Sequence, residues 1–208
     1  MTRMKRQLTV EPLPPDGDLA SWQPVRWHPL AEAPWRDRFP YVPEVRFAIA
    51  WDPHRGIGLK WRVAEREIRA VERGFNGRVW EDSCVEFFWA PQAAGQRHYA
   101  FEFNPAGAVY GAVCPGDAPP VLLEASSLRQ IGIAIPRPEE GGAWALDTLL
   151  SPVLFGEDWT QWRPRATLRA NFYKCGDRHR EPHYLCWNPV AWPQPSFHRP
   201  DGFGHLSL

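Results

Sequence analysis

Proline interrupts this chain at 23 of its 208 positions, and the stretches between prolines alternate in polarity instead of repeating at a helical period. A proline inside a helix removes a hydrogen bond and clashes with the preceding turn, so this punctuation favours short extended segments. Residues 45–51 alternate large apolar with small or polar side chains, 52–56 read as a turn, and 57–63 alternate again. The pattern predicts a β-hairpin with Trp51 and Trp61 on core faces.

Further strands are expected at 84–89, 99–104, 108–113, 129–135, 144–150, 166–173 and 183–187, with a last alternation at 203–208. Turns are expected at 76–77, 105–107 and 139–142, and a short helix at 151–155, with Ser151 as cap and Pro152 at its first position. Residues 65–75 fit either a short strand or a helical turn. Residues 1–44 read as an extended Pro/Trp-rich arm, with a turn cluster at 13–18 and with Trp22, Trp27 and Trp35 packed onto a body at 45–208. No internal repeat or heptad is visible. The expected architecture is all-β, a single antiparallel β-sandwich of jelly-roll type.

The 24 basic and 24 acidic residues cancel. Neither a nucleic-acid partner nor a polybasic membrane contact is expected, since both need clustered cations. No apolar run approaches the roughly 20 residues that span a bilayer. The first ten residues are basic without an apolar stretch behind them, which predicts a cytoplasmic protein without a signal peptide. Four cysteines in a chain of this length do not read as a disulfide scaffold.

Three expected strands carry polar residues on one face: Glu86; Glu102 with Asn104; and Arg169, Asn171 and Tyr173. A carboxylate inside an apolar strand is costly to bury alone, so Glu86 needs a structural partner or a ligand. If the strands are neighbours, their polar groups form a face that grips hydroxyls, the carboxylates accepting and the amide and guanidinium groups donating. An internal salt-bridge network is the alternative. Glu86 and Glu102 also raise a glycosidase reading, in which the separation of the two carboxyls would set the stereochemistry. Cys175, His179, His183 and Cys186 are ligand types at a spacing unlike that of known zinc sites, and a hairpin tip with incidental histidines explains them as well. The only methionines are Met1 and Met4, which disfavours a haem with a Met axial ligand.

Two segments resemble one family. Residues 80–88 look like the strand entry of family 9 carbohydrate-binding modules, and residues 197–206 resemble their C-terminal ending. The similarity runs over about residues 45–208, and residues 171–175 and 197–200 suggest a family-9-like branch. The resemblance implies a DOMON-like β-sandwich that is not an enzyme and binds a mono- or oligosaccharide, with one terminal sugar between two aromatic rings. By the resemblance Trp80 is one wall and Phe197 the other, Glu86 and Asn104 hold hydroxyls, and Glu102 stands where the family uses Arg. That exchange removes a donor and adds an acceptor, for which Arg169 or Arg199 would compensate. No cofactor is implied beyond a structural Ca²⁺, for which Asp52, Asp82 and Asp147 are the available carboxylates. Two other readings follow from the same residues: an enzyme or sensor using the slot for a different small molecule, and a structural domain that has lost its ligand.

Overall fold

The computed structural model describes residues 4–14, 19, 21–116, 118–136 and 142–208. Two sheets face each other. The hairpin read at 45–63 forms β4 (Glu44–Asp52) and β5 (Gly56–Ala64), paired antiparallel from Glu44↔Ala64 to Asp52↔Gly56. Gly56 has φ +114°, and a Cβ there would lie 2.0 Å from the Leu150 carbonyl oxygen, so the turn requires glycine. Trp61 faces the core fully buried as expected, whereas Trp51 is only partly buried.

The N-terminal arm is extended and packed against the body, and it is also built into both sheets. Its β1 (Gln7–Thr9) runs parallel to the C-terminal strand, while β2 (Glu11–Pro12) and β3 (His28–Pro29) both pair with β4. Hydrogen-bonded pairing therefore continues across the boundary expected at residue 44.

The remaining strands are β6 (Cys84–Ala90), β7 (His98–Phe103), β8 (Val109–Cys114), β9 (Val121–Leu122), β10 (Gly132–Ala134), β11 (Ala143–Leu150), β12 (Thr167–Cys175), β13 (Tyr184–Cys186) and β14 (Gly204–Ser207). The larger sheet runs β1-β14-β12-β6-β7-β8-β9, with β13 also on β12. The smaller runs β10-β11-β5-β4-β2, with β3 also on β4. The sandwich is antiparallel apart from the β1–β14 and β2–β4 pairs. Residues 65–75 contain neither the strand nor the helical turn considered for them, and their β-type pairing is an isolated bridge from Phe75 to Val109. The helix expected at 151–155 is a pair of 3₁₀ turns, Pro152–Leu154 and Gly156–Gln161. The turns read at 13–18 and 139–142 lie largely outside the described residues.

The inner core comes from one face of each sheet. Phe47 of β4 stacks on Phe172 of β12 with ring centres 3.8 Å apart, and Val85, Phe87 and Trp89 of β6 complete that layer. The larger sheet is covered on its other face as well. Cys84, Phe88, Ala100, Tyr110, Tyr173 and Cys175 point outward into a second apolar layer made by Trp35 from the arm and by Val190, Phe197 and Phe203 from the C-terminal segment. All seven residues of β6 are consequently buried. Glu86 lies within this outer layer.

Candidate functional site

Strands β12, β6 and β7 are neighbours, as the shared polar face requires. Their register sets Tyr173 opposite Glu86, Glu86 opposite Glu102, and Glu102 opposite Tyr110 of β8. Of these, Glu86, Glu102 and Tyr110 form the floor of a cavity of about 280 Å³, and Tyr173 backs its Phe197 wall. Its walls are Trp80, Tyr184 and Phe197, and Cys175, Asp177, Ser196 and His198 complete the lining.

Each wall has an identifiable support. Trp80 sits on a 3₁₀ turn, Val79–Glu81, and its ring meets Tyr110 edge-on at 5.7 Å. Asp82 anchors that turn: its Oδ2 accepts from the backbone N–H groups of Val71 and Glu72 and from Asn104 Nδ2, and its Oδ1 lies 3.2 Å from Arg69 Nε. The Trp80 carbonyl accepts from the Asp177 N–H at 3.2 Å, which ties the turn to the β12–β13 connection. Phe197 stacks on Tyr173 at 4.2 Å and packs on Trp35 at 5.6 Å. The arm thus holds a cavity wall in place from behind.

The floor is acidic. Burial pushes the Glu86 carboxyl up to about 8, against a 3.0 Å hydrogen bond donated by the Cys175 thiol. Glu102 is pushed well above the usual carboxylate range, by burial first and then by the Glu86 charge. Its Oε2 is buried with no hydrogen-bond partner. Burial also raises Asp177 to about 6. Desolvation, then His98 and Arg199, lower His198 to about 4, so its imidazole is neutral. No lysine or arginine lines the cavity.

Of the eight residues singled out in the sequence, Trp80, Glu86, Glu102 and Phe197 line this cavity. The other four are placed elsewhere. Asn104 organises the turn after β7: its Oδ1 accepts from the Ala106 and Ala108 N–H groups and its Nδ2 donates to Glu72 O and Asp82. Asn171 is fully used by the C-terminal segment, donating to Asn188 O and Gly202 O and accepting from the Asn188 N–H. Arg169 donates to the carbonyls of Pro200, Gln92 and Gly95, beside a separate cavity lined by residues 90–93, 161, 163 and 165–169. Arg199 lies over the Trp192 ring, 3.5 Å from its centre. Arg169 and Arg199 therefore do not supply the donor that Glu102 removes.

The sequence reading missed Tyr110, Asp177 and Tyr184. Tyr110 was within reach, because it occupies the outward phase of an expected strand. Asp177 and Tyr184 are placed by the β12–β13 connection, whose course no local pattern reveals.

Among the described residues, metal-ligating types gather in three places, with ligand atoms within 4.8 Å of one another: Glu65, His179 and His183; Cys84, Glu86 and Cys175; and His98, Cys114 and His198. In the first, the Lys174 ammonium takes the place of a cation, 2.8 Å from Glu65 Oε2 and 2.7 Å from His183 Nε2. The histidines of the 175–186 connection thus join an internal ion pair between the two sheets. In the second, the Cys175 thiol already donates to Glu86. In the third, His98 Nδ1 donates to Gln96 O and Nε2 lies 3.0 Å from His198 Nδ1. Asp52, Asp82 and Asp147 do not fit a calcium site. Asp52 caps its own turn, Asp82 anchors the Trp80 turn, and Asp147 pairs with Lys60 at 3.0 Å and Arg62 at 2.8 Å. No helix among the described residues is long and apolar enough to cross a membrane.

The model of carbohydrate-binding family 9 matches residues 18–208. A Bacteroides uniformis crystal structure, described as a "putative carbohydrate-binding protein", is 31% identical over 98% of this chain and 99% of its own, with a TM-score of 0.81. A family 9 carbohydrate-binding module from Caldicellulosiruptor kristjanssonii, solved with glucose, is similar at 10% identity over 98% of this chain and 95% of its own, with a TM-score of 0.62. The same organism's family 9 module with cellotriose is similar at 11% identity over 98% and 93%, with a TM-score of 0.65. At those identities the two complexes speak to the fold alone. A search of curated proteins found no match.

Proposed function

The chain belongs to carbohydrate-binding family 9, a family of non-catalytic binding modules, and from that membership we propose that it holds a terminal sugar in the cavity between Trp80 and Phe197. The single observation behind this reading is that Trp80, Phe197, Glu86 and Glu102, distant in sequence, line one cavity. A pyranose has C–H faces that lie on aromatic rings and a rim of hydroxyls that needs partners in the ring plane. The aromatic walls suit the faces, and the Glu86 and Glu102 carboxyls suit the rim as acceptors. Aromatic contact adds about 0.5–1.5 kcal/mol beyond area burial. A site of this size corresponds to micromolar or weaker binding, about −8 kcal/mol or less favourable.

Membership of a family of non-catalytic binding modules, and not the placement of the two carboxyls, weighs against a glycosidase. Calorimetric and tryptophan-fluorescence titrations with a panel of mono- and oligosaccharides test the reading. At least one saccharide should bind, and Trp80→Ala should weaken it. Absence of binding across the panel would leave a fold without a ligand, and unchanged binding by Trp80→Ala would remove the slot.

A further inference from the structure

The cavity lining gathers three carboxyl groups and no lysine or arginine. Glu86 and Glu102 face each other across adjacent strands, both are 3% exposed, and Asp177 joins them in the lining. Glu102 Oε2 is buried without a partner. The nearby cations are engaged elsewhere. Lys174, whose charge reaches Glu86, is held by Glu65, and Arg78 and Arg178 pair with Glu81. Like charges side by side in an apolar setting repel, and an isolated buried carboxylate is costly, so without a cation the pair keeps its protons. A bound cation lets both carboxyls ionise.

We propose that the bound sugar carries a protonated amine, so that this cavity selects an amino sugar whose ammonium sits over Glu86 and Glu102. The inference rests on the sugar reading above and names the class of sugar. A hydroxyl offers one donor, whereas an ammonium offers three donors and a charge. One ammonium has donors enough for both Glu86 and Glu102, with a third left over. The walls agree with this assignment, because Trp80, Tyr110 and Tyr184 rings attract a cation as well as a sugar face. A metal ion is the competing cation, since Cys84, Glu86 and Cys175 converge. The Cys175 thiol, however, donates its proton to Glu86, and a metal there would have to displace thiol protons from a fully buried pair of cysteines. An ammonium leaves that hydrogen bond in place.

The test is calorimetric titration of the full chain with glucose, glucosamine, galactosamine and mannosamine, with N-acetylglucosamine as the uncharged control, below the amine pKa and at fixed ionic strength. At least one amino sugar should bind about tenfold or more tightly than its parent sugar. Acetylation should erase the advantage, and Glu102→Gln should erase it too in a variant whose unfolding transition remains cooperative. Neutral sugars binding as well as or better than every amino sugar would overturn the inference and leave the sugar reading standing. No binding of either class would overturn both. Zinc binding that is lost in Glu86→Gln, without any amino-sugar binding, would assign the floor to a metal instead. Tetramethylammonium binding as tightly as the amino sugars would overturn the assignment to a sugar.

Discussion

Glu65 and Glu86 are both buried carboxylates in one sandwich, and they are treated in opposite ways. Glu65 follows β5 and meets Lys174 of β12 across the two sheets, with Trp144 Nε1 donating at 2.5 Å and with His183 Nε2, which accepts from Lys174, 3.4 Å away. Burial pushes its pKa up, but the Lys174 charge, with hydrogen bonding to the carboxylate, overcomes that and holds it below the usual carboxylate range. Glu86 has one thiol donor and a second carboxyl opposite it, and burial prevails. Only one register position separates Lys174 from Tyr173 and Glu86, and it puts them on opposite faces of the sheet. One face of β12 thus closes a structural ion pair, while the other meets carboxyls that burial keeps protonated beside a cavity. A buried carboxylate supplied with its cation supports the fold, and one without it takes up a proton.

Removing the cation from the matched site should have the largest effect. Lys174→Met leaves Glu65 buried and unpaired, and we expect a loss of about 3–5 kcal/mol in urea unfolding. A loss below about 1 kcal/mol would mean that the ion pair is not the junction between the sheets.

The pH dependence of the two sites has opposite sign. The folded-state pKa of Glu65 is depressed, so its contribution is present above the unfolded carboxylate pKa of about 4.5 and fades as pH falls below it. The folded-state pKa of Glu86 is raised from 4.5 to about 8, so the ligand-free fold loses stability as pH rises through that window. Several histidines with lowered pKa values, His179 and His198 among them, give the opposite slope up to their unfolded pKa of 6.5. The clean readout is therefore the stability of the wild type minus that of a Glu86→Gln/Glu102→Gln variant. This difference should fall between about pH 4.5 and pH 8. A flat difference would show that the two carboxyls titrate normally.

At the unmatched site single substitutions should separate binding from folding. Glu102→Gln replaces a carboxyl that burial keeps protonated with a neutral amide of the same shape, so stability should hold, while affinity for the preferred sugar should drop by about 1.5–3 kcal/mol, the worth of a hydrogen bond to a charged group. A large loss of stability would move Glu102 into the structural class with Glu65. Trp80→Ala should have the smallest effect, about 0.5–1.5 kcal/mol of sugar affinity beyond lost area, with little change in unfolding because the ring is only half-buried.

What the sequence revealed follows from the range of the interactions. The 45–63 hairpin was legible because alternation and turn chemistry are local. The outward phase of Glu86, Glu102 and Tyr173 was legible for the same reason. That β12 lies beside β6 was not, because some 80 residues separate them and only tertiary packing brings them together. The short strands of the arm were hidden by proline, and they exist because β4 and β14 offer free edges. Asn104 was read as a ligand amide because of its phase. The following Pro-Ala-Gly already marks a turn, and a turn asparagine satisfies its own backbone first. Lys174 was not recognised as the partner of Glu65, since no spacing links residues that meet only across two sheets.

The central claim is that the sugar sits over the unmatched carboxylates. A crystal structure of the chain with the tightest saccharide of the titration panel tests it most directly. The account predicts one sugar ring between Trp80 and Phe197, with a polar ligand atom within hydrogen-bond distance of Glu102 Oε2. A sugar bound instead beside Arg169, in the cavity of residues 90–93, 161, 163 and 165–169, would contradict it, as would a sugar on the outer face of the smaller sheet.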